Sequence, residues 1–238
     1  IGRLQSGFNS MVAGLRERDR LRDLFGRHVG EEVARHAVAA EETSAGDERD
    51  VAVLFIDLVD STQLAVDREP HEVAEVLNAF FRIVVAQVDA HRGLINKFQG
   101  DAALAVFGAP LRVDDPAAAA MSTARALADE LRSLPLDFGI GVSAGPVFAG
   151  NIGAENRYEY TVVGDAVNEA ARLADHAKEF GTRTLCSGTA RSAATPAERA
   201  CWVPVGQTTL RGRSTATDLF APRRPESPHP PHKTASTA

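Results

Sequence analysis

Apolar and polar positions change period several times along the 238-residue chain. Over residues 1–36, Leu4, Phe8, Met11, Leu15 and Phe25 follow the three-and-four spacing of a helical seam, interrupted by the charged run Arg16 to Arg20. This predicts a helical stalk, or equally an amphipathic helix lying on its own domain. Residues 40–50 are polar and acidic without period, so a linker is expected over 37–50. Val51 to Ile56 is a continuous run rich in β-branched residues, as for a strand covered on both faces. A helix is expected from about His71 to His91, with Val73, Val76, Leu77, Phe80, Phe81, Val84 and Val88 on one face. Leu94–Phe98 and Ala102–Phe107 flank Gln99-Gly100-Asp101 and read as a β-hairpin. A second helix over Asp114–Leu134, a strand pair over Asp137–Gly150, a strand at Tyr158–Val163 and a helix from Asp165 to Phe180 follow. Short strands are expected near Arg183–Ser187, Trp202–Val205 and Thr217–Phe220. The order predicts an α+β fold with helices on an antiparallel-type sheet. From residue 222 onward, five of the twelve prolines and no apolar period predict a disordered tail over 222–238.

Composition narrows the function. A formal charge of −6 argues against a nucleic-acid partner, which would call for a basic surface. Two cysteines, Cys186 and Cys201, make neither a disulfide framework nor a metal-ligand pattern and point to a reducing compartment. No stretch approaches the roughly 18 to 20 apolar residues that span a bilayer, and a chain beginning at Ile1 reads as a fragment of a longer one. Only three of the 26 basic residues are lysines, Lys97, Lys178 and Lys233, so each retained lysine stands out.

The candidate chemistry begins at Phe55-Ile56-Asp57-Leu58-Val59-Asp60-Ser61-Thr62. A carboxylate at the end of a buried strand is costly to desolvate without a partner, and a divalent cation would supply one. Ser61 and Thr62 stand where they could cap a helix whose free N–H groups favour a triphosphate. The plainer reading is that Asp57 and Asp60 end a strand and cap a helix. Asp101, in the hairpin turn, adds a second carboxylate, and hard Mg²⁺ or Mn²⁺ suits two aspartates completed by substrate phosphates.

FIDLVDST at 55–62, INKFQGDAALAVFG at 95–108, GIGVSAGPVFAGNIG at 139–153 and YTVVGDAVNEAARL at 160–173 together resemble the catalytic domain of class III nucleotidyl cyclases. The resemblance implies a ferredoxin-like βαββαβ domain, placed at 51–221, that converts ATP to 3′,5′-cyclic AMP and pyrophosphate. By match of motif, Asp57 and Asp101 would hold two metal ions, Lys97 and Thr161 would recognise adenine, and Asn168 and Arg172 would serve the transition state. Arg183 and Arg211 match triphosphate-contacting positions, with surface salt bridges an equal alternative. Asn168 and Arg172 are four apart on a helix and share a face. A lysine can donate to adenine N1, an acceptor that guanine lacks. Thr161 departs from the aspartate of many members, as in a subclass with threonine or serine, whereas guanylate-type members would show Glu and Cys at these two positions. The resemblance also implies a homodimer with sites at its two-fold interface. Phe8-Asn9-Ser10-Met11 resembles the end of a HAMP signalling helix and Leu21–Val29 a transducer segment, implying a cytoplasmic domain of a membrane-anchored parent. A cyclase-homology signalling module and a guanylate cyclase are the alternatives.

Overall fold

β1 (Asp47–Leu58) runs through the middle of the sheet, with even-numbered side chains on one face and odd-numbered ones on the other. Ala52, Leu54, Ile56 and Leu58 join the larger core cluster, while Val51 and Val53 join a second on the opposite face. The computed structural model describes residues 46–61, 66, 68–154 and 157–223, together with positions 12, 15 and 16. All but those three positions of the expected stalk over 1–36, most of the linker and the tail from residue 224 lie outside the described residues.

Helix α1 (Pro70–Ala90) follows β1, then the hairpin β2 (Leu94–Gln99) and β3 (Ala102–Phe107), helix α2 (Pro116–Glu130) and β4 (Phe138–Ala154). This is the expected βαββαβ order, and the strands lie β2-β3-β1-β4, all antiparallel. The sheet continues through β6 (Thr184–Ser187), β8 (Thr217–Pro222) and β7 (Trp202–Thr208), while β5 (Arg157–Val163) pairs with the far half of β4. Helix α3 (Asp165–Ala177) links β5 to β6. One pair, β4 with β6, is parallel, so the sheet is mixed.

The helices divide between the two faces. Phe80, Val84 and Val88 of α1 and Met121, Ala124 and Leu127 of α2 pack under the even-numbered side of β1. Ala166 and Ala170 of α3 pack on the odd-numbered side, which is therefore the face to which Asp57 belongs.

Four expectations differ from the structure. Residues 47–50, read as linker, are the first four residues of β1 and pair with Pro146–Ala149 of β4. Their polarity reflects a strand that runs past the core: Arg49 Nε donates to Asp47 at 2.9 Å and its Nη1 to the Pro110 carbonyl at 3.2 Å. The strand pair over 137–150 is instead one 17-residue strand. Gly139, Gly141 and Gly145 keep their places in its ladder with β1, with no turn between them. Two short helices, α4 (Gly188–Ala193) and α5 (Pro196–Arg199), stand where no element was expected, being too short to show a period. The helix from Asp165 ends at Ala177, three residues before Phe180.

Asp115 caps α2, one carboxylate oxygen accepting from Ala118 N at 2.8 Å and the other from Thr195 N at 2.8 Å. Asp115→Ala removes both bonds and is expected to lower unfolding stability by about 1–2 kcal/mol in a urea titration.

Candidate active site

The register of β1 and β3 brings two carboxylates together. Ile56 faces Ala103, so continuation of the ladder sets Asp57 opposite Ala102 and the hairpin tip at the C-terminal end of β1. Gly100, at φ 68°, closes that tip and leaves half-buried Asp101 close enough for its charge to act on Asp57. β1 stops at Leu58, with Val59 N donating to the Asp137 carbonyl at 2.9 Å and Asp60 turning the chain at φ 54°. Ser61 follows, half-buried, and Thr62 lies outside the described residues.

Asp57 is met by a cation from its own chain. Lys178, the C-cap residue of α3, puts Nζ 2.6 Å from Asp57 Oδ2 and 3.3 Å from Asp175 Oδ1. Burial holds the Asp57 carboxyl above the usual carboxylate range, the Asp101 charge adding to it, even though Lys178 pulls the other way. The Lys178 ammonium also sits above its ordinary value: burial lowers it, but the bonds and charges of Asp57 and Asp175 outweigh that. The pair is therefore asymmetric, since the ammonium gains from the contact while the carboxylate still loses more to burial than it recovers. A hard divalent ion, with twice the charge, fits this deficit. Among the described residues no group of three or more His, Cys, Asp or Glu could hold a metal, so such an ion would be completed by oxygens from elsewhere, as substrate phosphates would provide. Lys178 would compete with such an ion for the same carboxylate. Lys178→Gln is expected to tighten Mn²⁺ binding to the nucleotide-free protein by roughly fivefold, the equivalent of about 1 kcal/mol for a partly exposed pair. Electron paramagnetic resonance of free Mn²⁺ measures this, and unchanged binding would remove Lys178 from the site.

α3 carries Asn168 and Arg172 and is held unusually close to the sheet. A β-carbon on Gly139 would lie 2.1 Å from the Ala174 carbonyl oxygen, and one on Gly141 2.1 Å from that of Ala170. Only glycine permits this approach. Asn168 is exposed and Arg172 half-buried. The loop between β7 and β8 meets Arg172: exposed Arg211 precedes Gly212, where a β-carbon would come within 3.3 Å of the Arg172 guanidinium. Arg213 then forms ion pairs with Asp165 at 2.8 Å and with Glu169, tying that loop to the first turns of α3. Glu169, only 4% exposed, also accepts from Ser143 Oγ at 2.5 Å and Thr217 Oγ1 at 3.0 Å. Arg183, at φ 54°, is engaged elsewhere, with Nη2 2.5 Å from Asp137.

The other group lies between β2 and β5. Lys97 Nζ donates to Glu159 at 3.1 Å, two residues before Thr161 and on the same side of β5. Thr161 Oγ1 donates to Asn96 Oδ1 at 3.0 Å, and Asn96 Nδ2 donates to the Tyr160 carbonyl at 2.9 Å.

Within one chain, then, Asp57 gathers with Asp101, Lys97 with Thr161, and Arg172 with the Arg211 loop, but Asn168 does not reach Asp57. Lys178 touches Asp57, and Asn168 stands ten residues earlier in α3, about 15 Å along the axis at 1.5 Å per residue. The sequence reading missed Lys178 and the Glu169–Arg213 pair. Lysine scarcity was the available signal for the first. For the second there was none, because Glu169 in an alanine-rich helix and Arg213 in a loop 44 residues later each look like surface charge.

Comparison with known proteins gives one consistent answer. Residues 43–220 match the family model of the adenylate and guanylate cyclase catalytic domain. The chain is 53% identical over its whole length to 43% of an uncharacterized Mycobacterium tuberculosis protein, MT1361, and spans about two fifths of the curated relatives it matches. Among solved structures it resembles the adenylyl cyclase CyaB from P. aeruginosa at a TM-score of 0.68 and 24% identity, covering 75% of this chain and 96% of that one. It also resembles the guanylyl cyclase Cya2 at 0.61 and 29% identity, covering 78% and 97%.

Proposed function

Since the chain belongs to the adenylate and guanylate cyclase catalytic domain family, and is thus a nucleotide cyclase domain, we propose that it is an adenylate cyclase. The substrate is ATP, and the products are 3′,5′-cyclic AMP and pyrophosphate. The observation that carries the base choice is that β2 and β5 are joined at Lys97–Glu159 and Asn96–Thr161, which sets a lysine and a hydroxyl, rather than the Glu and Cys of guanylate-type members, on adjoining strands. Cya2 supplies the rival reading, a guanylate cyclase, at 29% identity.

Asp57 and Asp101 would hold two Mg²⁺ or Mn²⁺ ions, which when bound activate the ribose 3′-hydroxyl and neutralise the leaving pyrophosphate. Arg172 presents a planar fork of donors to the oxygens of the α-phosphate, where charge develops as the 3′-oxygen attacks in line. Asn168 orients the ribose so that the 3′-oxygen lies opposite the leaving group. Lys97 donates to adenine N1. Arg211, exposed in the loop beside Arg172, is available to the triphosphate, as would be Ser61, where the chain leaves β1, and Thr62, which lies outside the described residues. Arg183 serves only if it leaves Asp137.

The active unit is a homodimer, each site combining Asp57 and Asp101 of one chain with Asn168 and Arg172 of its partner. Two features support this reading. The axial separation of Asn168 from Asp57 is one. The other is a set of exposed apolar side chains on β4 and β5, Phe148, Ile152, Tyr158 and Val163, the last two 61% and 55% exposed. No helix among the described residues is long and apolar enough to cross a membrane. A HAMP helix and membrane anchor in the parent belong to this proposal through residues 1–36 alone.

The test is product formation. With Mn²⁺ the purified chain is expected to make cyclic AMP and pyrophosphate in equal amounts from ATP, and Asp57→Ala to make neither. Preference for GTP would establish the guanylate reading. No cyclic product from a confirmed dimer would leave a cyclase-homology signalling module.

A further inference from the structure

β2 is irregular at one position. Ile95 faces Ala105 and Lys97 faces Leu104, so Asn96 is an extra residue, a bulge between them. A bulge re-aims the side chain it carries, and this one is aimed out of the hairpin at β5. There Asn96 makes both bonds described above, one to the Tyr160 carbonyl and one from the Thr161 hydroxyl.

The two bonds fix each other's direction. A carbonyl oxygen only accepts, so the Asn96 amide must present its NH₂ to Tyr160 and its oxygen to Thr161. The Thr161 hydroxyl has one proton, and that proton is committed to Asn96. What remains on Oγ1 is lone pairs. A hydroxyl free to rotate would accept from one base and donate to another. Held this way, it can only accept, as a carboxylate does.

Purine bases differ at this point. Adenine carries a 6-amino group, a donor, beside the N1 acceptor, while guanine carries O6, an acceptor, beside N1–H. An acceptor-only Thr161 next to the donor Lys97 complements adenine and opposes guanine. We propose that Asn96 is a specificity-determining positioning residue: it locks the Thr161 hydroxyl as an acceptor and so lets threonine select adenine. This deepens the adenylate cyclase reading and rests on Lys97 and Thr161 facing the base.

The test compares kcat/KM for ATP, for purine riboside 5′-triphosphate, which lacks the 6-amino group, and for GTP. Ratios are taken within each protein preparation, so the fraction of folded enzyme cancels. In the unmodified chain ATP is expected to be preferred over purine riboside triphosphate. Asn96→Ala is expected to reduce that preference roughly five- to tenfold, the value of one hydrogen bond, and to raise GTP relative to ATP, because a freed hydroxyl can donate to O6. Thr161→Val is expected to reduce the same preference, and adding Asn96→Ala to it to change nothing further, since Asn96 acts through that hydroxyl. If Asn96→Ala does not fold, Asn96→Ser, which cannot hold both partners, is read in the same way. An unchanged ratio in the Asn96 variant, or a further loss in the Thr161→Val background, overturns the proposal. A bulge residue that merely joins β2 to β5 would lower all three substrates together. Absence of cyclic AMP from the unmodified chain would instead refute the adenylate cyclase reading itself.

Discussion

Mixed in equal amounts and allowed to exchange subunits, Asp57→Ala and Arg172→Ala proteins are expected to recover roughly a quarter of wild-type cyclase activity, although each alone is nearly inactive. Either substitution removes a group from both sites of a homodimer, and loss of one preorganised charge-stabilising group costs about 10²- to 10³-fold in kcat. In a heterodimer, one site loses both groups and the other keeps both. Random pairing makes about half the dimers heterodimers, each with one of two sites intact, hence the quarter. The physical basis is the placement of α3. Its C-cap residue, Lys178, touches Asp57 of the same chain, and Asn168 stands ten residues before that lysine, about 15 Å from it along the helix axis. Cyclic AMP formation, with heterodimers verified by differential tags, measures the outcome. Failure to recover activity in verified heterodimers would place the site within one chain.

Gly141→Ala is expected to destabilise the protein by about 3 kcal/mol and to reduce activity beyond what the unfolded fraction explains. The added methyl would meet the Ala170 carbonyl at 2.1 Å, as well as the Ala174 backbone nitrogen at 2.4 Å. Backbone cannot rotate away as a side chain can, so α3 must lift from the sheet, and overpacking of this kind costs about 1–3 kcal/mol or more. Asn168 and Arg172 travel with the helix. Gly145→Ala is the control: its methyl would find only Ala166 Cβ, at 3.9 Å, an ordinary contact. Its effect is expected to stay within about 0.5 kcal/mol. Urea denaturation of the two variants separates close approach from a general intolerance of side chains in β4.

Much of this architecture was legible in the sequence because its periods are clean. Val51–Ile56 and Ala102–Phe107 are apolar on both faces and are buried on both faces. The apolar stripe of α1 lies on its core side. Where the reading slipped, one residue type served two physical purposes. Gly139, Gly141 and Gly145 signal a turn when isolated from tertiary context, yet in β4 the first two are the surface against which α3 packs. Asp47 to Asp50 signal a linker by charge, yet they are a strand whose side chains reach solvent. For the candidate site, the pairing of Asp57 with Asp101 was inferable, because it follows from a hairpin lying beside a strand. The Lys178 contact was not, because nothing local to Lys178 points to a strand end 121 residues away. Asn96 was hidden by the bulge itself: alternation alone would put it on the opposite side from Lys97, without indicating that it reaches β5.

One property of the β2–β3 hairpin reaches beyond either site. Lys97 and Asp101 are four residues apart on it, the first near the partner-facing strand β5 and the second at the tip beside Asp57. In the proposed dimer, the base reader and the metal ligand of one hairpin belong to two different sites. A substitution that shifts this hairpin as a whole would therefore touch both sites of that dimer at once, one through its base reader and the other through its metal ligand.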